Sequence, residues 1–120
     1  METMRAFQVR LNGKRICLAG IGDDGVLSTT ISYTPVGRRR ETRLYVGGLV
    51  LPKDEHVKWK GLFLRLGDEV RVKLVEANAV DRPRQRYPRD RAAEAKAEQR
   101  HLRELAKKLG WKLCRISRPE

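Results

Sequence analysis

The stretch Leu62-Phe63-Leu64-Arg65-Leu66-Gly67-Asp68-Glu69-Val70-Arg71-Val72-Lys73-Leu74 decides the fold class. Leu62, Leu64 and Leu66 alternate with other residues, a Gly67-Asp68 pair follows, and Val70, Val72 and Leu74 alternate again. A period of two places every second side chain on one face of a strand. Two such runs around a short polar turn read as an antiparallel hairpin with one dry face.

The same pattern recurs upstream. Phe7, Val9 and Leu11 alternate and lead into Asn12-Gly13, the pair preferred in a type I′ turn because both central residues take positive φ. A two-residue loop there sets Leu11 opposite Lys14, Val9 opposite Ile16 and Phe7 opposite Leu18. Phe7, Val9, Ile16 and Leu18 then share the core face, and Cys17 falls on the other face beside Gln8. Gly20 to Gly25 is a turn by composition. Leu27, Thr29, Ile31 and Tyr33 mark a third strand that Pro35 and Gly37 end, and Arg38-Arg39-Arg40 follows in an exposed loop. Leu44 and Val46 mark a fourth strand, with a bulge or bend expected at Gly47-Gly48. Val57 and Trp59 alternate briefly before the central hairpin.

Past Ala77 the character changes. Asp81-Arg82-Pro83-Arg84-Gln85-Arg86-Tyr87-Pro88-Arg89 is basic, holds two prolines and shows no apolar period, so it reads as an extended linker or arm. Asp90 suits a helix N-cap, and Gly110 sits where a C-terminal capping glycine belongs. Between them Ala92, Ala95, Leu102, Leu105, Ala106 and Leu109 fall near one helical stripe. The expected fold is mainly β: an antiparallel β-sandwich or small barrel of roughly six or seven strands with a C-terminal α-helix. A chain of 120 residues makes one domain, with a β core at 4–77, a basic linker at 78–89, a helix at 90–109 and a tail at 110–120.

The formal net charge is +12, which directs attention to anionic partners: nucleic acid, an acidic protein or an anionic membrane surface. Residues 81–120 hold 13 Lys or Arg against 6 Asp or Glu, so this shorter part carries more than half of the excess. Arg82, Arg84, Arg86, Arg89 and Arg91 lie two or three apart and can follow a phosphate backbone, with Tyr87 able to stack on a base. Arg38, Arg39, Arg40 and Arg43 form a second cluster. These ten residues are the candidate nucleic-acid contacts, and the same charge also serves as plain solvation of a loop and a linker. No helix-turn-helix, zinc finger or aromatic RNA-binding signature is present.

A non-enzymatic binding module is therefore expected, with no catalytic residue, metal ligand or cofactor assigned. The alternative is a protein-interaction or inhibitor-type module using the C-terminal helix or a sheet edge. A third reading, a metal-dependent nuclease, rests on the pairs Asp23-Asp24, Asp54-Glu55 and Asp68-Glu69, with Lys58 or Lys60 nearby, though Asp is also a common turn residue. His56 and His101 lack zinc spacing, and Trp59 and Trp111 read as core or edge packing. Two sparse cysteines, Cys17 and Cys114, suit reduced thiols in a cytoplasm. No apolar run is long enough for membrane insertion.

Overall fold

The computed structural model describes residues 2–22, 24–51 and 54–114. Among these, seven strands and one helix follow in the order β1 (Met4–Leu11), β2 (Lys14–Gly20), β3 (Gly25–Val36), β4 (Arg39–Val50), β5 (Glu55–Phe63), β6 (Val70–Ala77), β7 (Gln85–Pro88) and α1 (Arg91–Leu109). The strands form two antiparallel sheets, ordered β2-β1-β6 and β3-β4-β5-β7. The sheets are not closed into a barrel, and the architecture is sandwich-like. Residues 1–89 and 90–120 form separate units.

The central stretch is a sheet-to-sheet crossing and not a hairpin. Its first run ends β5 in the four-stranded sheet, whereas its second run is β6 and pairs with β1 in the other sheet. Alternation reports that a segment is pleated; it carries no information about which strand lies alongside. The dry face is only partial: Leu62, Leu64 and Val70 pack against the core, while Val72 and Leu74 on the edge strand β6 stay exposed.

The crossing is anchored by the turn it was expected to make. Asp68 folds back on Arg65, accepting from its backbone N–H at 2.7 Å and donating its own N–H to the Arg65 carbonyl at 3.0 Å. Asn12 has φ 52° and Gly13 φ 81°, as the type I′ turn requires. The Asn12 amide donates to Asp68 Oδ1 at 2.9 Å, its carbonyl accepts from the Glu69 N–H at 2.8 Å, and its backbone N–H donates to the Glu69 carbonyl at 2.8 Å. Two turns far apart in the chain are thereby stitched together.

The first hairpin keeps Leu11 opposite Lys14, but a bulge between Val9 and Arg10 shifts the rest by one residue. Val9 faces Cys17, Phe7 faces Ala19 and Gln8 faces Leu18. One extra residue reverses which side chains point inward. Cys17 is consequently buried in the core with Val9 and Ala19, and Ile16 packs at its margin. The four-stranded sheet contributes Leu44, Val46, Val50, Val57 and Trp59 to the same core. The break expected at Gly47-Gly48 is present as a register shift between Val46 and Gly47. A side chain at Gly48 would run into the Val26 carbonyl of β3, which explains the bare backbone there.

Segment 78–89 is extended, as expected, but it is not a free linker. Its end is β7, which pairs with Glu55–Lys58 of β5. Asp81 holds its start. The Asp81 N–H donates to the Leu18 carbonyl at 2.9 Å, its carboxylate accepts from the Leu18 N–H at 2.8 Å, and its carbonyl accepts from the Trp59 indole N–H at 2.7 Å. One acidic residue thus ties the edge of the small sheet to the core tryptophan of the large one.

In the second unit, α1 starts where Asp90 accepts from the Ala93 N–H at 2.9 Å. It ends at Gly110, φ 72°, with Gly110 N–H on the Lys107 carbonyl and Trp111 N–H on the Ala106 carbonyl, the Schellman arrangement. Leu102, Leu105 and Leu109 of its stripe are exposed. Trp111–Leu113 forms no strand; residues 115–120 of the expected tail lie outside the described residues.

Candidate nucleic-acid interface

Register fixes which side chains share the outer face of the four-stranded sheet. Val26, Leu49, His56 and Tyr87 form one row across all four strands, because each is the cross-strand partner of the next. Ser28, Gly47, Lys58 and Gln85 form the second row. Thr30, Tyr45 and Gly61 form the third, and Ser32, Arg43 and Phe63 the fourth. The fully buried Leu44, Val46 and Val57 alternate with these residues and face the other way.

Four aromatic rings therefore lie on a face that the core does not cover. His56 and Tyr87 stack with centroids 5.1 Å apart and planes 24° apart. Tyr45 leans across Gly47: a Cβ at that position would fall inside its phenol ring. Lys58 Nζ stands 5.9 Å from the Tyr45 ring centroid. Burial, then the charge and hydrogen bond of Tyr87, pushes the Tyr45 phenol above its ordinary value of 10.0, so the ring is neutral at pH 7. Arg43 lies 5.0 Å over the ring of Phe63, a residue that is 62% exposed.

Two depressions flank Tyr45. One, of about 370 Å³, is walled by Tyr45, His56 and Tyr87 and floored by Val26, Gly48 and Leu49. The other, of about 240 Å³, is bordered by Ser32, Arg43, Lys58 and Gly61. The first is apolar and aromatic, while the second holds two cations. That pairing suits a planar, uncharged ring in one depression and an anionic group in the next.

The sequence-derived residues distribute around this face. Arg38 sits in the turn between β3 and β4, and Arg39 and Arg40 begin β4, so this segment is the tip of a long hairpin and not a loose loop. Arg43 and Tyr87 lie on the face itself. Arg82 and Arg84 precede β7, Arg86 lies within it, and Arg89 follows it. The Arg38–Arg40 tip stands apart from β7. β7 pairs with β5 no nearer to the tip than Lys58, which lies opposite Gly47, eight residues from Arg39 along β4, or about 26 Å at the usual rise per residue; Arg43 is four residues from Gly47, about 13 Å. Arg86 pairs with Glu55 at 3.2 Å and Arg89 with Asp54 at 3.6 Å, which ties down part of the second cluster. Arg91 opens α1 in the second unit.

Tyr45, His56, Lys58 and Phe63 share this face although the sequence reading assigns none of them to a nucleic-acid contact. Their signal was present, since each occupies the wet phase of a strand whose dry phase is plain: Tyr45 between Leu44 and Val46, His56 before Val57, Phe63 between Leu62 and Leu64. Asp54 and Glu55 face arginines and Asp68 caps a turn. Among the described residues no group of three or more His, Cys, Asp or Glu is placed to hold a metal ion. Both cysteines are free thiols, Cys17 buried and Cys114 exposed. No helix of the described residues is long and apolar enough to cross a membrane. Comparison with protein-family models, with curated proteins and with solved structures finds no match to this chain.

Proposed function

We propose that the protein binds single-stranded nucleic acid along the outer face of the β3-β4-β5-β7 sheet. The observation that carries this reading is the pair of depressions on either side of Tyr45, one aromatic and one cationic. A base stacks between Tyr45 and the His56–Tyr87 pair, and a phosphate lies against Lys58 and Arg43. Phe63 offers a second stacking surface, and the Arg38–Arg40 tip prolongs the cationic track. A duplex keeps its bases paired and stacked and gains less from such a face.

The test is fluorescence anisotropy with labelled single-stranded and duplex oligonucleotides at two salt concentrations. Single strands are expected to bind more tightly, and added salt to weaken both complexes. Tyr87→Ala should weaken single-strand binding by about 1–3 kcal/mol, the value of one stacked base. Lys58→Ala should lower the salt dependence by about one phosphate contact. Absence of binding at low salt, or binding that Tyr45→Ala and Tyr87→Ala both leave unchanged, would defeat the proposal.

The exposed leucines of α1 favour a second reading, a protein-interaction module. Concentration-dependent self-association that Leu105→Glu abolishes is its expected signature in sizing chromatography.

A further inference from the structure

A second cationic site lies on the other side of β5. Lys60 pairs in register with Val46, whose side chain is fully buried, so Lys60 leaves the sheet on the core side and not on the aromatic face. The bulge at Trp59 permits this: Trp59 is the extra residue between Lys58, opposite Gly47, and Lys60, opposite Val46. Trp59 and Lys60 consequently both point inward, where strict alternation would have turned one of them out. A lysine on a core face is unusual unless something anionic meets it.

What meets it is a cavity of about 330 Å³ at the seam between the two sheets. Cys17, Trp59, Lys60, Arg82 and Arg84 line it, together with Asp81. The Asp81 carboxylate is already engaged by the Leu18 N–H at 2.8 Å and by Arg15 at 3.3 Å. Among the described residues, no carboxylate lies within ion-pair distance of Lys60, Arg82 or Arg84. Three cationic residues thus line one hollow with a single acid, Asp81, whose carboxylate is already bonded to Leu18 and Arg15. Backbone contacts keep two of them in place. The Arg84 N–H donates to the Lys58 carbonyl at 2.7 Å, and Asp81 beside Arg82 is bound to β2 through its own N–H.

The geometry points to a phosphate-binding site formed by Lys60, Arg82 and Arg84 at the sheet seam, walled by Trp59. Arginine forks match phosphate oxygens two at a time, and the lysine supplies a point charge. The cavity exceeds the volume of a lone phosphate, so a diphosphate or the phosphorylated end of a nucleic-acid strand fits its chemistry equally. The site shares no residue with the aromatic face and does not rest on the reading given for that face.

Trp59 provides the readout. In full-length protein carrying Trp111→Phe, Trp59 is the sole indole, and pyrophosphate is titrated against sodium chloride of equal ionic strength. A saturable change in Trp59 emission and a rise in melting temperature are expected with pyrophosphate and not with chloride. Lys60→Met, which keeps the length of the side chain, should weaken the response at least tenfold, and Arg84→Ala, at an exposed position, should weaken it as well. A 5′-phosphorylated oligonucleotide and its 5′-hydroxyl twin then identify the source. If only the phosphorylated strand competes with pyrophosphate, the ligand is a strand end; if neither competes, it is a free diphosphate. A pyrophosphate response no larger than that of chloride, or one that survives both Lys60→Met and Arg84→Ala, overturns the site. Binding of oligonucleotides on the aromatic face, read by Tyr45→Ala and Tyr87→Ala, stands or falls separately.

Discussion

At the scale of single residues, acids do more for this basic protein than its count of arginines suggests. Asp81 lies in a segment whose arginines dominate the eye, yet it closes the seam between the sheets. Asp81→Ala leaves the Leu18 N–H and Arg15 without their carboxylate. The side chain is 46% exposed, so water makes up part of the loss, and about 1–2 kcal/mol of stability should go. A lower urea midpoint at unchanged slope checks this. The Cys17 thiol is raised from its ordinary value of 9.0, chiefly by burial and then by the Asp81 charge, so it should also titrate lower in that variant. Asp68 presents the opposite sign. Hydrogen bonds from the Arg65 N–H and the Asn12 amide, with the Arg65 charge, hold its carboxyl below the ordinary 3.8. Its contribution is complete above that ordinary value and is lost as pH falls through the lower, folded one. Acid titration of stability should therefore be steeper in the parent than in Asp68→Asn below about pH 4. Asn12-Gly13, Asp90 and Gly110 were legible because turns and caps demand particular residues. Asp81 was not, because an aspartate that binds a strand hundreds of atoms away along the chain looks like any other.

Elements were legible in kind and less so in partnership. Alternation found the strands, and stripe and caps found α1 to within a residue at its start. The bulge at Val9–Arg10 carries no compositional mark, so the faces of β2 came out reversed and Cys17 moved to the core. The bulge beside Gly47 did carry one, the double glycine. Gly48→Ala tests how tightly β3 and β4 approach there. Its Cβ would meet backbone, the Val26 carbonyl, which cannot rotate aside. A loss of about 1–3 kcal/mol is expected in chemical denaturation, with the pattern of circular dichroism retained. Gly67-Asp68 is genuine turn chemistry and the turn exists, but it redirects the chain from β5 to another layer and closes no hairpin. A β7 of four residues that ends in Pro88 offers no apolar period to detect.

For the molecule as a whole, every residue of the core cluster lies within the first unit. A fragment ending at Arg89 should thus fold with a cooperative transition and keep Trp59 buried, as judged by its emission and by thermal melting. A fragment ending at Asn78 removes both the Asp81 seam and β7, and should lose Trp59 protection. The sandwich was visible from the sequence; the aromatic face was not, because placing Tyr45, His56, Phe63 and Tyr87 on one face requires the registers of β4, β5 and β7 at once. The chain-spanning pairing of β1 with β6, Met4 beside Ala77 and Leu11 beside Val70, has a bearing on biosynthesis. On a ribosome the first hairpin emerges early with an open edge along β1, and its true neighbour is among the later strands to be made. During that wait an edge rich in Phe7 and Val9 is available to any other nascent strand. Slow elongation before residue 70 should lengthen that exposure and raise the aggregated fraction, whereas release of the segment through Asp81 shuts the layer and ends it.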